Sequence, residues 1–182
     1  MLTTDKTTTT IYWTVDSPIG ELLLAGDGDR LQRLHMQSAR RPTRIGADWV
    51  RDAEPFADLC EQLDQYFAGE RREFDVALDP HGTEFELRVW RALRQIPYGE
   101  TESYGKLADR IGHPGHARAV GSANGRNPIA VVIPCHRVIG ADGSLTGYAG
   151  GLERKRLLLD LEAPLAQLDL SSRPRRQAPS GV

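Results

Sequence analysis

The chain has 182 residues, of which 40% are hydrophobic and 26% are charged, and its formal net charge is −2. This composition is typical of a globular protein and excludes a largely disordered one, and no apolar run approaches the roughly 18 residues of a membrane span. The charge is uneven, because residues 1–80 carry 9 basic and 15 acidic residues, whereas residues 81–182 carry 14 and 10. A polyanion is therefore expected to meet the second half of the chain.

The first segment predicts a small antiparallel sheet. Residues 1–10 contain one basic residue, Lys6, and no apolar run, which does not predict a signal peptide, so we expect a cytoplasmic protein. Short β-favouring runs separated by Gly and Asp then occur at 11–15, 22–25 and 31–36. Residues 37–55 have no clear period and predict a loop or an irregular link.

Helical spacing begins after this link. An apolar face over residues 56–67 predicts a helix that ends at Gly69, with Cys60 as a buried core thiol. The sequence TEFE at 83–86 is typical of a capping box and predicts the start of the next helix, which Pro97 and Gly99 end.

Two further short helices indicate a DNA-binding arrangement. Ser103 can cap a helix over 104–111, and a tight Gly-Pro link separates it from a helix at about 116–124, as in a helix-turn-helix. Beyond them, the apolar run 129–133 predicts an extended segment. The last predicted helix covers residues 152–162.

The cysteine of the second half lies in a context that indicates chemistry. Cys135 follows a run of apolar residues, so we expect it at the inner end of a pocket. An unperturbed thiol has a pKa of about 8.5 and is mostly protonated at neutral pH, so a neighbouring base must help it to react. His136 is the obvious base, although adjacent residues of an extended segment point to opposite sides. A bridging water, or a bend after Pro134, would connect the two.

A carboxylate would fix the tautomer of such a histidine and stabilise its charged form. Glu162, late in the last predicted helix, is one of ten acidic residues in the second half that could do so. The residues alone do not choose among them.

Residues 83–162 resemble the catalytic domain of the methylated-DNA–protein-cysteine methyltransferases, also called O6-alkylguanine-DNA alkyltransferases. The matching stretches are IPYGE at 96–100, SYG at 103–105, ARAVG at 117–121, NP at 127–128, IPCHRV at 133–138 and YAGGL at 148–152. In the first half, DSPIG at 16–20 and YFAG at 66–69 are also similar to the family.

The resemblance implies a fold of two domains. Residues 1–80 would form an N-terminal α/β domain that is ribonuclease-H-like. Residues 81–165 would form a mainly helical C-terminal catalytic domain with a winged or helix-turn-helix DNA-binding motif. Residues 166–182, which contain RPRR at 173–176, predict a disordered basic tail.

The resemblance also implies catalytic roles. Cys135 would accept the alkyl group, His136 would act through a water as its base, and Glu162 would orient His136. Asn127 would fix the backbone of the active site and link it to the recognition helix.

Other positions would contact DNA. Arg118 resembles the arginine finger that enters the space left by the extruded nucleotide, and Tyr104 would press on the neighbouring phosphate and assist protonation of guanine N3. The small side chains of the recognition helix would let it lie deep in the minor groove. They belong to Ala117, Gly121, Ser122 and Ala123.

The guanine pocket would be walled by Tyr104, Tyr148, Ala149 and Gly150, with the carbonyls of Cys135 and Val138 reading the base. Ala130 and Ala149 stand where some relatives have proline and serine, which leaves open how large an alkyl group the pocket accepts.

The implied function is DNA repair. The chain would flip the nucleotide from the minor-groove side of duplex DNA and move the alkyl group of O6-alkylguanine, or of O4-alkylthymine, to Cys135. Water cannot readily cleave the resulting thioether, so each molecule would act once. The expected partner is damaged double-stranded DNA and not a membrane, and the protein is expected to be a monomer in solution, with clustering along DNA left open.

No cofactor is expected, and no metal either, because only His35 and Cys60 in the first half resemble zinc ligands. The main alternative is a non-enzymatic lesion binder of the alkyltransferase-like kind, although such proteins usually carry tryptophan at the position of Cys135. A helix-turn-helix regulator would need longer polar side chains on its recognition helix, and a cysteine hydrolase would turn over acyl substrates.

Overall fold

The computed structural model describes residues 9–37 and 43–163, and its first part is a four-stranded sheet. The strands, in the spatial order β3-β2-β1-β4, are β1 (Ile11–Val15), β2 (Leu22–Gly26), β3 (Leu31–Met36) and β4 (Val50–Arg51). The β1–β2 and β2–β3 pairs are antiparallel, whereas β4 runs parallel to β1. All five residues of β2 are buried, as expected for a strand covered on both faces. The three predicted strands are confirmed.

The segment predicted as a loop or irregular link, residues 37–55, contains the fourth strand. Its pairing is secured by hydrogen bonds from the amide of Val50 to Thr10 O (2.9 Å) and from the amide of Asp52 to Tyr12 O (3.1 Å). A 3-10 turn, Glu54–Phe56, follows. The prediction missed both because a two-residue strand is too short to show an alternating pattern.

The first helix, α1 (Ala57–Phe67), was predicted and packs its apolar face against the core through Leu59, Leu63 and Tyr66. Cys60 was predicted to be a buried core thiol, but it is only partly buried at the edge of this face.

The second half is mainly helical, as predicted. It contains α2 (Glu84–Leu93), α3 (Tyr104–Arg110), α4 (Ala117–Gly125) and α5 (Leu152–Glu162). Thr83 and Glu86 form the predicted capping box, and Ser103 Oγ caps α3 by accepting from the amide of Lys106 (3.2 Å). Helix α4 packs against both α2 and α3, so α3 and α4 form the two helices of the expected helix-turn-helix.

The extended segment predicted for residues 129–133 is wrong. These residues are buried but form consecutive tight turns, and Val131 has a φ of 70°. A run of β-branched residues favours a strand, yet here the chain reverses direction before Pro134 and Cys135. Two short strands were also missed, β5 (Glu102–Ser103) and β6 (Val138–Ile139), which pair in parallel.

Both halves share one hydrophobic core, to which Leu34, Tyr66, Leu93 and Leu158 contribute from four different elements. Among the residues that the structure describes, no helix is long and apolar enough to cross a membrane. The predicted tail, residues 166–182, and the first eight residues lie outside the described ranges.

Candidate active site

Two successive tight turns position Cys135. A hydrogen bond from the amide of Val132 to Ala130 O (2.8 Å) closes a turn around Val131, whose positive φ is rare for a β-branched residue. The amide of Cys135 then donates to Ile133 O (2.8 Å) around Pro134, which has φ −79° and ψ 64°. These are the angles of an inverse γ-turn, and proline is suited to them because its ring fixes φ. The bend after the apolar run is therefore local and rigid.

The side chain of Asn127 holds these turns together. Its Nδ2 donates to Ile133 O (2.8 Å), and its Oδ1 accepts from the amide of Ile129 (3.0 Å). Since a buried amide side chain with donor and acceptor both engaged has one orientation, Asn127 fixes the backbone that leads to Cys135.

Strand β3 holds the same loop from the other side. The amide of Leu34 donates to Pro128 O (2.9 Å), and Leu34 O accepts from the amide of Ala130 (3.0 Å). The sheet of the first half thus anchors the cysteine loop of the second half, by which we mean residues 127–135.

Cys135 is 5% exposed and opens into a cavity of about 240 Å³. The cavity is lined from the first half by His35, Met36 and Thr43, and from the second half by Asn124, Gly125, Asn127, Ala130, Gly147, Tyr148, Ala149 and Gly150. Burial raises the pKa of the Cys135 thiol, while a hydrogen bond from Asn127 and the positive charge of Lys155 act in the opposite direction. The thiol is therefore protonated at rest and needs a base.

His136 is fully buried, and its Nε2 lies 2.9 Å from Glu162 Oε1. Burial lowers the pKa of His136, an effect that Glu162 partly opposes, so the imidazole is neutral. Because an ionised carboxylate only accepts hydrogen bonds, the proton of the neutral ring is on Nε2. The other nitrogen, Nδ1, is buried without a hydrogen-bond partner among the described residues and can accept a proton.

Glu162 accepts hydrogen bonds from several parts of the chain. Arg137 donates from Nε to Oε2 (2.8 Å) and from a terminal nitrogen to Oε1 (2.9 Å), and Tyr66 donates its hydroxyl to Oε1 (2.6 Å). Burial alone would raise the pKa of Glu162, but the hydrogen bonds and charges of His136 and Arg137 outweigh it and lower the pKa to about 2. Glu162 is thus an anion whose counterion is Arg137.

Lys155 is a functional candidate that the sequence reasoning missed. It is fully buried, and its Nζ donates to Val138 O (2.6 Å) and to Thr146 O (2.8 Å). Desolvation lowers the pKa of Lys155, and a negative charge on Cys135 raises it. The available signal was its position on α5, since residues 155, 158 and 162 lie on one buried face at helical spacing.

Asn124 was also missed. Its Nδ2 donates to Cys135 O (3.2 Å), whereas its Oδ1 is buried with no hydrogen-bond partner among the described residues. The buried hydroxyl of Tyr148 is likewise without such a partner, and burial raises the Tyr148 pKa, as would a negative charge on the nearby Cys135. Buried polar atoms without partners are rare in folded proteins, so this pair marks a cavity built for a polar ligand.

The predicted pocket residues are only partly brought together. Tyr148, Ala149 and Gly150 line the cavity with Cys135, whereas Tyr104 does not, and Val138 is fully buried with its carbonyl already bound to Lys155. Tyr104 donates its hydroxyl to Thr146 O (3.2 Å) at the edge of a neighbouring groove.

That groove has a volume of about 630 Å³ and is lined by Tyr104, Ala117, Arg118, Gly121, Gly125, Thr146, Gly147, Tyr148 and Ala149. It shares four of these residues with the cysteine cavity, so the two adjoin. Arg118 is exposed on α4, and the Gly121 backbone lies close to the Tyr104 ring.

Of the residues of α4 that were predicted to contact DNA, Ala123 faces the core and Ser122 lies on the surface outside this groove. Ala123 is fully buried, and its carbonyl accepts from Trp90 Nε1 (2.9 Å), so it faces the core and not the groove. Ser122 is exposed but does not line the groove, and its hydroxyl accepts from Arg126 (2.5 Å). On a helix only every third or fourth residue shares a face, so a run of small residues could not all meet one ligand.

Comparisons with known proteins identify the family. A family model for the ribonuclease-like domain of 6-O-methylguanine DNA methyltransferase matches residues 10–80, and one for its DNA-binding domain matches residues 84–164. The chain belongs to the 6-O-methylguanine DNA methyltransferase family. The predicted family and the predicted fold class are confirmed.

Individual relatives agree with the family assignment. A methylated-DNA–protein-cysteine methyltransferase of Mycobacterium bovis is 58% identical over 161 residues, which cover 88% of this chain and 96% of the relative. One from Methanosarcina acetivorans is 52% identical over 151 residues, covering 83% and 97%. A crystal structure of Mycobacterium tuberculosis O6-methylguanine methyltransferase matches with a TM-score of 0.80 and 56% identity, covering 90% of this chain and 98% of that one. A structure of Mycobacterium tuberculosis OGT in complex with DNA matches with a TM-score of 0.77 and 57% identity, covering 85% and 96%.

A methyltransferase of this family is an enzyme of DNA repair that moves an alkyl group from DNA to a cysteine, and this is the activity of the chain. Of its two cysteines, Cys135 opens into a cavity beside a buried histidine and carboxylate, whereas Cys60 lies on α1. Within the described ranges, no group of three His, Cys, Asp or Glu side chains is arranged to hold a metal ion.

Proposed function

We propose that Cys135 is the alkyl acceptor and that its substrate is O6-alkylguanine, or O4-alkylthymine, flipped out of duplex DNA into the cysteine cavity. The observation that carries this proposal is that the cysteine cavity and the groove beside α4 adjoin and share four lining residues. A base inside the duplex cannot reach a buried thiol, so the nucleotide must leave the stack, at a cost of a few kcal/mol.

In the proposed reaction, His136 accepts the thiol proton at Nδ1. Since Nδ1 does not contact the thiol directly, a water relays the proton, and Glu162 stabilises the resulting imidazolium through Nε2. Lys155 favours the thiolate by its charge. A sulfur lone pair of Cys135 then attacks the alkyl carbon in line with the C–O6 bond, whose electrons pass to the guanine.

The leaving guanine must gain a proton. We assign its delivery at N3 to the hydroxyl of Tyr104, whose raised pKa keeps it protonated, and whose ring borders the groove. Asn124 Oδ1, which has no partner among the described residues, is available to hydrogen-bond the base, and so is the Tyr148 hydroxyl, whose one neighbouring polar group is the Cys135 thiol. The carbonyls of Cys135 and Val138 already accept hydrogen bonds within the protein, from the amide of Val138 and Asn124 Nδ2 in the first case and from Lys155 Nζ in the second, so we do not assign them to reading the base.

Helix α4 would enter the minor groove of the DNA. Ala117 and Gly121 line the protein groove beside α4, and their small side chains let the helix backbone approach the DNA closely. Arg118 would replace the stacking of the flipped nucleotide. Ser122 would contact the DNA only at the edge of this interface, because it lies outside the protein groove.

We further propose that the chain works as a cytoplasmic monomer of two domains that divide near residue 80.

The wall of the cysteine cavity formed by Ala130, Ala149 and Gly150 carries no bulky side chain, which supports room for alkyl groups larger than methyl. The alkyl group ends in a thioether, whose C–S bond neither water nor a second thiol readily cleaves, so each molecule reacts once.

The experiment that tests this proposal follows methyl loss from a duplex with one O6-methylguanine, using the wild-type protein, Cys135→Ser and Cys60→Ser. We expect repair by the wild type and by Cys60→Ser, and binding without repair by Cys135→Ser. Repair by Cys135→Ser at the wild-type rate would overturn the assignment of the acceptor. Lesion binding by the wild type with no loss of methyl would favour the lesion-binding alternative.

A further inference from the structure

The carboxylate of Glu162 receives a hydrogen bond from the first half of the molecule. Tyr66 lies on α1, within the segment that matches the ribonuclease-like domain, and its hydroxyl donates to Glu162 Oε1 at 2.6 Å. Tyr66 is fully buried, and burial together with the charge of Glu162 raises its pKa, so it remains a donor at every relevant pH.

The same oxygen serves the proposed base. Oε1 accepts from His136 Nε2 (2.9 Å), from Arg137 (2.9 Å) and from Tyr66, which makes the Tyr66 bond the shortest of the three. A donor to a shared acceptor withdraws electron density from it and weakens its attraction for the other protons. Tyr66 and His136 therefore compete for the negative charge of one atom.

The other charged and titratable groups around this pair come from three elements. Arg137 follows His136 in the chain, Lys155 faces it from α5, and Tyr98 approaches from the turn after α2. Tyr98 directs its hydroxyl to Leu161 O (3.1 Å) and not to the carboxylate. Tyr66 is thus the neutral group among them that touches Oε1.

We infer that Tyr66 is a positioning residue through which the ribonuclease-like domain sets the basicity of His136, by donating to the oxygen that His136 uses. This inference rests on the proposed roles of His136 and Glu162. It assigns the first domain a chemical part in the reaction, beyond anchoring the cysteine loop through β3.

A purely structural role for Tyr66 would have different consequences. Its ring also packs against Phe67, Phe74 and Tyr98 at centroid distances of 5.2–6.2 Å. Phenylalanine keeps this packing and removes only the hydroxyl. A structural role predicts that Tyr66→Phe lowers the melting temperature and leaves the pH dependence of the reaction unchanged.

The test is a graded series at position 66 in the full chain: phenylalanine, tyrosine and 3-fluorotyrosine, whose more acidic hydroxyl donates more strongly. Two quantities are measured for each protein, the pH profile of single-turnover methyl transfer and the pH at which the His136 imidazole titrates by 15N NMR. Tyr98→Phe is the matched control, since it removes a hydrogen-bonded hydroxyl from the same aromatic cluster without removing a donor to Glu162.

We expect the acid limb of the profile and the His136 titration to move together. Phenylalanine should shift both upward by about 0.5–1 pH unit, which corresponds to one net hydrogen bond, and 3-fluorotyrosine should shift both downward. Tyr98→Phe should leave both in place.

Equal profiles across the series, or an equal shift in Tyr98→Phe, would overturn the inference. If Tyr66→Phe does not fold, the 3-fluorotyrosine protein still gives the direction of the shift. A wild-type protein that transfers no methyl group would instead contradict the proposed function, so the two failures are distinguishable.

Discussion

His136 and Glu162 are joined by a 2.9 Å hydrogen bond between Nε2 and Oε1 at a place where neither side chain reaches solvent. Glu162 already has a counterion in Arg137, so the negative charge does not require a protonated histidine beside it. The pair can therefore rest with a neutral imidazole and an ionised carboxylate. That state leaves Nδ1 able to accept a proton from the thiol.

Glu162→Gln should destabilise the protein strongly. The substitution leaves the guanidinium of Arg137, which is 7% exposed, buried without its counterion, and breaking a buried ion pair in this way costs about 3–5 kcal/mol. Urea unfolding at neutral pH measures the loss. Glu153→Gln, on the exposed face of the same helix, is the control and should unfold close to the wild type. Similar unfolding curves for the two variants would contradict the ion pair.

Acidification should lower stability in two stages. The pKa of His136 is lowered by burial from its ordinary value of 6.5, so the folded state resists a proton that the unfolded state accepts, and stability declines as the pH falls below 6.5. The pKa of Glu162 is lowered from 4.5 to about 2, so its contribution is present above pH 4.5 and is lost between pH 4.5 and 2. Denaturant midpoints measured from pH 8 to pH 3 check both stages. The second stage should be smaller in Glu162→Gln, and an equal decline in both proteins would refute this assignment.

The sequence predicted the helices well because their signals are local. Thr83 and Glu86 cap α2, and Ser103 caps α3, through contacts within three residues of each other. Residues 129–133 were predicted wrongly because tertiary contacts with Leu34 and the side chain of Asn127 override the β preference of that run.

The site was predicted in part. The resemblance to the family, and not the spacing of residues, selected Glu162 from ten acidic candidates, and the structure places it against His136. Tyr66 lies 96 positions from Glu162 in the chain, and no local pattern connects them. Lys155 carries a charge that sequence reasoning places at the surface, although here it is buried and bound to two carbonyls.

Lys155→Met should make the thiol of Cys135 less reactive. The positive charge of Lys155 lowers the pKa of Cys135, so its removal should raise that pKa, and each unit lowers the thiolate fraction at neutral pH about tenfold. The rate of carboxamidomethylation of Cys135 against pH is the measurement. Lys106→Met, an exposed lysine of α3, is the matched control. The same profile in both variants would show that the charge of Lys155 does not act on the Cys135 thiol.

Arg118→Ala should slow repair of a duplex much more than reaction with free O6-methylguanine. Only the duplex requires extrusion, and the loss of a group that offsets part of its cost should reduce the duplex rate on the order of 10–100-fold. Single-turnover rates with the two substrates give the ratio. Arg91→Ala, which changes an exposed arginine that does not line the groove, should leave the ratio at its wild-type value. Equal losses on both substrates would count against Arg118 as the residue that replaces the flipped base.

Single transfer to Cys135 is tested by the number and position of the methyl groups that the protein takes from an excess of duplex containing O6-methylguanine. Intact mass spectrometry counts the groups, and peptide fragmentation locates them. We expect one methyl group per molecule, on Cys135, however large the excess of lesions. Repair of more than one lesion per molecule, or methylation of Cys60 instead, would contradict it.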